Sequence, residues 1–230
     1  MRTVAVIPAR AGSQGLPGKN LRQIGGRSLL ERAIDFGLHL GLDDVVVTTD
    51  SEEYATVAAR AGAKVPGLRS AEASSSTAME PAVIDNLNLR LSEFGMEPPE
   101  VGVWLRPTFV FRSESATRAC IDLVKTQGMS AGRVVTEVDP RLYTDEGGRL
   151  VPLFNDHGVS MIRRQGLAPC YHVFNVDVFR WPKEKCPDDY LGRDIGFSIA
   201  PKLCGVDIDT LEDAKIAEAL LASVGTGILP

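Results

Sequence analysis

The chain has 230 residues, of which 44% are hydrophobic, and this suffices for one large domain with a substantial core. Its net charge of −5 argues against a general nucleic-acid-binding surface, although local arginines and lysines can still hold a small anion. The sequence contains no apolar stretch of about 18 residues and no charged-then-apolar leader, so we expect a cytoplasmic protein that does not interact with a membrane.

The chain begins with a predicted buried strand and a glycine-rich loop. The strand, Val4–Ile7, is a β-branched run too short for a helix, and Pro8 ends it. The loop combines glycines at every third position with polar and basic residues: Arg10, Gly12, Ser13, Gly15, Gly18, Lys19 and Asn20. Because its backbone amides can approach an anion while the cations neutralise it, the loop predicts a phosphate-binding site. It matches neither G-x-x-x-x-G-K-S/T nor G-x-G-x-x-G.

Helices and strands alternate after the loop. Apolar residues at helical spacing predict a helix over 28–40, a second buried strand spans 44–50, and another helix follows over 51–60. This alternation predicts an α/β fold, doubly wound around a mostly parallel sheet, whose ligands lie beyond the carboxyl ends of the strands. Asp50 stands at such an end, where a turn or capping role and a role near the ligand are equally open.

The alternation continues and then breaks down. The pattern predicts a helix over about 79–94, a strand over 100–105, a helix over 113–127 and a strand over 133–138. From Asp139 to about Pro169, short apolar pieces are mixed with Gly, Pro, Arg and Asp clusters. A long irregular stretch within an α/β domain is usually functional or an interface.

Near the end of the chain, two carboxylates stand two positions apart. Asp207 and Asp209 lie in the extended segment V-D-I-D, so both side chains point to one side, which suits a hard divalent cation. Asp209 could equally cap the helix that follows, with Thr210 and Asp213 as a rival capping box. Spacing alone therefore leaves a metal site and a helix cap equally open.

The loop and the carboxylate pair resemble those of a known family. The order P-A-R-x-G-S-x-G-x-P-x-K-N after the first strand resembles the loop of the cytidylyltransferases that activate nine-carbon sialic-type sugars. These are the CMP-acylneuraminate synthetases and their relatives for legionaminic- and pseudaminic-type sugars. Asn20 distinguishes this loop from that of the enzymes for the eight-carbon acid Kdo, and V-D-I-D before a helix is similar to the family's magnesium motif. The resemblance covers nearly the whole chain and is strongest at both ends.

This resemblance implies a fold, a reaction and an assembly. It implies one Rossmann-like nucleotidyltransferase domain over 1–230, with an inserted dimerisation lobe at about 139–170 that crosses to the partner subunit of a homodimer. It also implies that CTP and a sialic-acid-like α-keto acid sugar give the CMP-sugar and pyrophosphate in a Mg²⁺-dependent reaction. The implied catalytic residues are Arg10, Lys19, Asp207 and Asp209, the last two as ligands of Mg²⁺. No side chain stands out as a general base.

Nucleotide binding is implied for the loop and two residues beyond it. These are Ala9, Arg10, Ala11, Gly12, Ser13, Lys19, Asn20, Arg69 and Glu80. In the resembled family, the residue equivalent to Arg69 touches the base. Glu80 falls near a small hydroxyl residue of the family, and a carboxylate there can accept from both N1 and N2 of guanine, so GTP stays open as an alternative donor. A solvated charge favoured by the helix dipole is the simpler explanation for Glu80.

Sugar binding is implied for Arg106, Thr108, Arg163, Arg164 and Asn175. A sialic-type acceptor carries a carboxylate that a guanidinium can hold bidentately, and Arg106 stands where the family has a glutamine that faces the sugar. Its added positive charge predicts an acceptor with an extra or displaced anionic group, or a smaller acid. Arg163 and Arg164 coincide with the family's basic patch, and on an extended segment at most one of them points inward.

Two apolar replacements further narrow the expected acceptor. Phe109 and Val110 stand where the family has Ser-Pro, and they predict a more apolar wall beside the sugar. Such a wall suits a deoxy or N-acylated sugar better than a fully hydroxylated one. We therefore expect a modified relative of N-acetylneuraminate to be the preferred acceptor.

Several other functions stay open at this point. They include a GTP-using transferase for a legionaminate-type sugar and a CTP-dependent enzyme for another small acid. A non-catalytic nucleotide sensor would keep the loop without needing Asp207 and Asp209, so the pair favours an enzyme. A nicotinamide-dependent oxidoreductase would need G-x-G-x-x-G, which the loop lacks.

Overall fold

A computed structural model describes residues 1–12, 15–154 and 162–230. The strands are β1 (Thr3–Pro8), β2 (Gln23–Ile24), β3 (Arg27–Ser28), β4 (Asp44–Thr48), β5 (Val101–Leu105), β6 (Arg112–Ser113), β7 (Ala131–Val138), β8 (Tyr143–Asp145), β9 (Leu150–Pro152), β10 (Cys170–Arg180), β11 (Ile195–Ile199) and β12 (Ile228–Leu229). The α-helices are α1 (Leu29–His39), α2 (Glu52–Arg60), α3 (Glu80–Glu93), α4 (Glu114–Lys125) and α5 (Leu211–Val224).

The central sheet has six strands in the order β11-β7-β10-β5-β1-β4. β1 pairs in parallel with β4 and β5, and β11 pairs in parallel with β7. β10 is antiparallel to both of its neighbours, β5 and β7. Five strands therefore run in one direction and β10 in the other, which confirms the predicted mostly parallel sheet. The carboxyl ends of β1, β4 and β5 lie at one edge of the sheet, the expected location of a ligand.

Successive residues of β1 face two different apolar layers. Val4 and Val6 pack in the layer that contains the buried face of α3, whereas Ala5 and Ile7 pack in the layer formed by α1, α4 and α5. This period of two follows from the pleat of the strand, and burial on both faces explains why the strand is a continuous apolar run. Helices thus cover both faces of the sheet, as a doubly wound fold requires.

Side-chain caps set the starts of four of these helices. Ser28 begins α1 and Thr210 begins α5, each in a reciprocal capping box with the acidic residue three positions later. Ser51 and Ser113 cap α2 and α4 by accepting from a backbone amide in the first turn. These caps satisfy amide groups that a helix leaves unpaired at its amino end, and they explain why the predicted starts agree closely with the observed ones.

The irregular stretch at about 139–170 contains a small hairpin outside the central sheet. β8 and β9 pair in antiparallel register, and residues 155–161 lie outside the described part of the chain. The hairpin and its flanks expose apolar side chains to solvent: Leu142, Tyr143, Leu150, Leu153 and Phe154. In the described residues, no helix is long and apolar enough to cross a membrane.

Candidate active site

A cavity of about 290 Å³ lies at the carboxyl ends of β1 and β5. It is lined by Pro8, Arg10, Lys19, Asn20, Arg69, Ala78, Glu80, Val83, Trp104, Arg106, Pro107 and Thr108. Seven of these residues are among those predicted from the sequence to bind nucleotide or sugar. Four of the lining side chains are cationic and one is acidic, so the cavity suits an anionic ligand.

The glycine-rich loop is anchored to the end of β4. The Ala9 amide donates to the Thr48 carbonyl at 2.9 Å, and the Ala11 amide donates to Asp50 Oδ1 at 2.8 Å. Both amides therefore already donate within the protein, and the nucleotide-binding roles of Ala9 and Ala11 stay predictions. Asp50, whose role the sequence left open, positions the loop.

Asn20 positions the loop from its other end. Its side chain is buried, and Nδ2 donates to the Arg10 carbonyl at 3.1 Å, while Oδ1 has no hydrogen-bond partner in the described structure. The Arg10 side chain donates to the Ser75 carbonyl at 3.1 Å, a contact that leaves its positive charge uncancelled. Gly12 is exposed, and Ser13 lies outside the described residues.

Lys19 connects the loop to the V-D-I-D segment. Its Nζ donates to Asp209 Oδ1 at 2.7 Å and to the Ile208 carbonyl at 3.1 Å. The two backbones also approach closely, because a Cβ added at Gly15 would lie 3.0 Å from the Asp209 carbonyl oxygen. The two motifs recognised at opposite ends of the sequence therefore form one site.

Backbone pairing also holds the V-D-I-D segment in place. Asp207 forms an antiparallel bridge with Phe109, and the Ile208 amide donates to the Thr108 carbonyl at 3.0 Å. Asp207 Oδ1 is buried without a hydrogen-bond partner in the described structure, so this oxygen is available to accept a ligand. Asp209 does not cap α5, since Thr210 does so, and this removes the capping explanation for Asp209.

Arg69 is fixed against the end of β4. Its Nε donates to Thr48 Oγ1 at 2.9 Å and its Nη2 to the Thr48 carbonyl at 2.7 Å. Burial lowers the pKa of Arg69 to about 10, with Asp50 opposing the shift and Arg10 adding to it. The guanidinium thus stays protonated at neutral pH and presents a fixed positive charge at the cavity wall.

Arg106 is neutralised from within the protein. Its Nη1 donates to Asp177 Oδ2 at 2.7 Å, and its Nη2 donates to Glu80 Oε1 at 3.0 Å. Burial by itself lowers the pKa of Arg106, but Asp177 and Glu80 outweigh it and raise the value above the usual one. Contrary to the prediction, Arg106 offers no free positive charge to the acceptor, because its guanidinium is already paired with Asp177 and Glu80.

Three functional candidates beside Arg106 were missed in the sequence. Asp177 is fully buried and also accepts from Arg133, with an Nε to Oδ1 distance of 2.7 Å. The guanidinium carbons of Arg106 and Arg133 lie 4.7 Å and 5.2 Å from the centroid of the Phe174 ring. Charged residues within otherwise apolar strands were the available signal for Arg133 and Asp177. Nothing local in the sequence marks Phe174.

Other predicted sugar-binding residues lie away from the cavity. Asn175 is buried, and its Nδ2 donates to the carbonyls of Phe111 at 2.8 Å and Cys204 at 2.5 Å, so it ties β10 to two neighbouring segments. Arg163 and Arg164 are exposed at a 3₁₀ turn, where Arg164 pairs with Glu137, and neither lines the cavity. None of the three lines the cavity, and their sugar contacts stay predictions.

The predicted apolar wall is also corrected. Phe109 and Val110 are 1% and 2% exposed, and both point into the protein instead of into the cavity. Phe109 packs near the His172 ring, with centroids 6.2 Å apart. Backbone pairing of this segment with the V-D-I-D segment turns the two side chains inward.

Comparison with known proteins relates the chain to cytidylyltransferases. Residues 4–92 match the cytidylyltransferase family model. The CMP-N,N'-diacetyllegionaminic acid synthase of Legionella pneumophila is 37% identical over 131 residues, which cover 56% of each chain. The pseudaminic acid cytidylyltransferase of Campylobacter jejuni is 26% identical over 225 residues, 96% of each chain. The N-acylneuraminate cytidylyltransferase of Streptococcus agalactiae is 28% identical over 93% of this chain but only 52% of its own length.

Solved structures show the same fold at low sequence identity. A CMP-2-keto-3-deoxy-manno-octonic acid synthetase complexed with CTP superposes with a TM-score of 0.69 at 15% identity, covering 97% of this chain and 99% of the other. A 4-diphosphocytidyl-2C-methyl-D-erythritol synthase from Anaerococcus prevotii gives a TM-score of 0.65 at 16% identity, with 96% and 98% coverage. The predicted α/β fold and the predicted resemblance to sialic-type cytidylyltransferases are thereby confirmed.

Proposed function

We propose that this chain, a relative of the cytidylyltransferases, transfers CMP from CTP to a sialic-acid-like α-keto acid sugar and releases pyrophosphate. The observation that carries the proposal is the contact of Lys19, which lines the cavity, with Asp209, which does not line it; this contact brings the V-D-I-D segment against the glycine-rich loop. Relatives named for legionaminic, pseudaminic and N-acylneuraminic acids support this class of acceptor.

In the proposed reaction, the anomeric hydroxyl of the sugar attacks the α-phosphate of CTP. A bond forms between that oxygen and the α-phosphorus, the bond from phosphorus to the bridging oxygen breaks, and pyrophosphate leaves while the hydroxyl proton is lost to solvent. Arg10 and Lys19 stabilise the charge on the phosphates, and Asp50 and Asn20 hold the loop that carries them. Catalysis then consists chiefly of positioning and electrostatic stabilisation.

We also propose that Asp207 and Asp209 hold a magnesium ion. Asp207 Oδ1 is buried and has no hydrogen-bond partner in the described structure, and the Asp209 side chain is 69% exposed, although its Oδ1 also accepts from Lys19 at 2.7 Å. A metal on Asp209 would therefore share this carboxylate with Lys19. In the described residues, no group of three or more His, Cys, Asp or Glu side chains could hold a metal. Two carboxylates with substrate phosphates and water are the usual ligands of Mg²⁺, which supplies phosphate charge neutralisation when bound.

The contacts of Glu80 favour CTP over GTP as the donor. Glu80 Oε1 accepts from Arg106 at 3.0 Å, so this carboxylate has a partner within the protein and its presence requires no contact with guanine. Glu80 is also the first residue of α3, where a negative charge is favoured by the helix dipole. Both observations support a structural role for Glu80.

A panel of nucleotides and acceptors tests the proposal directly. Pyrophosphate release would be measured for CTP, GTP, UTP and ATP, each with N-acetylneuraminate, N,N'-diacetyllegionaminate, pseudaminate and Kdo. We expect release with CTP and at least one nine-carbon acid, and no release when magnesium is removed by a chelator. Release with GTP in preference to CTP, or with no nine-carbon acid, would overturn the proposed reaction.

We further propose that the hairpin of β8 and β9 belongs to a dimerisation lobe. Its exposed apolar side chains, Leu150 at 77% and Leu153 at 58%, are characteristic of a surface that another chain covers. Sedimentation of wild type and Leu150→Asp tests this assembly. A monomeric wild type would overturn it.

A further inference from the structure

Phe174 has an unusual backbone for an aromatic residue. Its φ is +85°, which makes it the single non-glycine residue with a positive φ in the described part of the chain. A bulky side chain in this region is strained and persists only where surrounding contacts hold it. Such strain is concentrated at ligand-binding sites.

A break in strand pairing places Phe174 there. The register between β10 and β7 shifts between His172 and Val176, so the three residues between them bulge out of the ladder. The Phe174 carbonyl accepts from Arg106 Nη1 at 3.1 Å. The next residue, Asn175, is buried, and its side chain donates to the Phe111 carbonyl in the protein interior. The bulge is therefore held from both sides, and it directs the ring outward.

The ring is solvent-exposed even though it lies beside charged groups. It is 46% exposed, and the guanidinium groups of Arg106 and Arg133 both lie within 5.2 Å of its centroid. Asp177 fixes both guanidiniums, and Glu80 adds a second contact to Arg106. Because the two arginines are balanced by two carboxylates, the cluster has no net charge. What it presents to a ligand is the aromatic surface of Phe174.

The position of Phe174 relates it to the acceptor. Arg106 separates it from the cavity that we assign to the nucleotide. Arg106 lines this cavity and donates to the Phe174 carbonyl, and its guanidinium lies over the Phe174 ring, so the ring adjoins the cavity wall. A sugar that attacks the α-phosphate must bind beside the nucleotide, where an exposed ring at this wall can contact it.

We infer that Phe174 is the specificity-determining residue for the acceptor, and that its ring packs against an apolar substituent of the sugar, such as an N-acyl or deoxy methyl group. This inference rests on the proposed function and deepens it by naming the part of the acceptor that is recognised. Aromatic side chains commonly supply the apolar contact area of small-molecule sites, with polar groups fixing the orientation. The strained backbone keeps the ring exposed instead of buried.

The test compares Phe174→Asn with two matched variants. Asparagine tolerates a positive φ, so this substitution removes the ring without disturbing the bulge. Phe174→Tyr keeps an aromatic ring, and Phe94→Asn removes another exposed phenylalanine, at the end of α3. KM and kcat would be measured by pyrophosphate release for N,N'-diacetyllegionaminate, N-acetylneuraminate and CTP.

In Phe174→Asn, we expect KM for N,N'-diacetyllegionaminate to rise about tenfold, the scale of one apolar group in a pocket, with KM for CTP unchanged. The discrimination against N-acetylneuraminate should fall, while Phe174→Tyr and Phe94→Asn behave like wild type. An unchanged acceptor KM in Phe174→Asn, or equal rises for acceptor and CTP, would overturn the inference.

A second measurement separates this inference from the proposed function. Saturation-transfer NMR detects whether the acyl methyl protons of the acceptor contact the aromatic ring, and it needs no turnover. A wild type that binds the acceptor through these protons but releases no pyrophosphate would overturn the proposed reaction and support the contact. A wild type that shows neither binding nor turnover would overturn both.

Discussion

The proposed phosphate side and the proposed acceptor side of the candidate site differ in how far their charges are paired within the protein. The phosphate side consists of Arg10, Lys19, Asp207 and Asp209, whose charges are partly exposed or lack a full set of partners. The acceptor side consists of Arg106, Arg133, Asp177 and Glu80, whose charges cancel through short ion pairs around a fully buried carboxylate. The difference fits the proposed function, in which the first group binds a charged ligand. The ion pairs of the second group instead fix the positions of the Arg106 and Arg133 side chains.

This contrast predicts that a substitution on the acceptor side will chiefly lower the free energy of unfolding. Asp177→Asn leaves two partly buried guanidiniums without their shared, fully buried carboxylate, which should cost about 3 kcal/mol of unfolding free energy. Urea denaturation would measure the loss, and Asp188→Asn, at an exposed aspartate, serves as the control. Arg106→Gln combined with Asp177→Asn should recover part of the loss. Wild-type stability in Asp177→Asn would contradict the neutral-cluster interpretation.

A substitution on the phosphate side should instead lower turnover and leave the fold intact. Asp207→Asn removes a proposed metal ligand whose Oδ1 has no internal partner, so the fold should be retained. We expect kcat to fall by about 10²–10³-fold, the scale of one preorganised electrostatic contact in a transition state. Turnover would be measured at limiting magnesium and unfolding by circular dichroism. Wild-type turnover under those conditions would show that the metal assignment is wrong.

Lys19→Met sharpens the same contrast at a single ion pair. Its partner, Asp209, is 69% exposed, so losing the pair should change the unfolding free energy by less than about 1 kcal/mol. In contrast, kcat/KM for CTP should fall by about 10²-fold because a cation beside the phosphates is lost. Lys64→Met breaks a comparable ion pair, with Asp44, far from the loop, and it should leave kcat/KM unchanged. A stability loss without a kinetic effect would place Lys19 in a structural role.

The smallest effect is expected at the cap of α5. Thr210→Ala removes the capping box and should cost about 1 kcal/mol, as should Ser28→Ala at the equivalent box of α1. Hydrogen bonds from Thr210 hold the pKa of Asp213 below its usual value. This contribution to stability is therefore present at neutral pH and is lost as the pH falls through the lowered pKa. A loss of turnover as large as that of Asp207→Asn would mean that the cap, and not a metal, makes the segment important.

Local patterns in the sequence predicted most of the phosphate side. The glycine spacing, the cations within the loop and the V-D-I-D segment before a helix are each contiguous, so their chemistry shows without knowledge of distant contacts. The alternation of apolar strands and helices likewise predicted the sheet, because periodicity records which faces are buried. Of the two roles that spacing left open for Asp209, the structure removes the helix cap, because Thr210 caps α5, and the metal role stays a prediction.

The acceptor side depends on contacts between residues far apart in the sequence. Arg106 meets Asp177 across 71 positions of the sequence, and the contact of Lys19 with Asp209 across 190 positions shows that the phosphate side also has one such link. Strand order and the antiparallel direction of β10 create the first contact, and neither follows from local periodicity. A position-by-position comparison with the resembled family therefore predicted a free charge on Arg106, whereas in the fold Asp177 pairs with it.

The sequence by itself determined the fold class and predicted the candidate phosphate loop and the candidate metal segment, since these follow from spacing within short stretches of chain. Only the tertiary structure decided that Asn175, Phe109 and Val110 point into the core and that Phe174 points out of it. The physical reason is that side-chain direction in an irregular segment or a bulge is set by what the backbone pairs with. For these residues, the pairing involves the V-D-I-D segment and the register shift of β10.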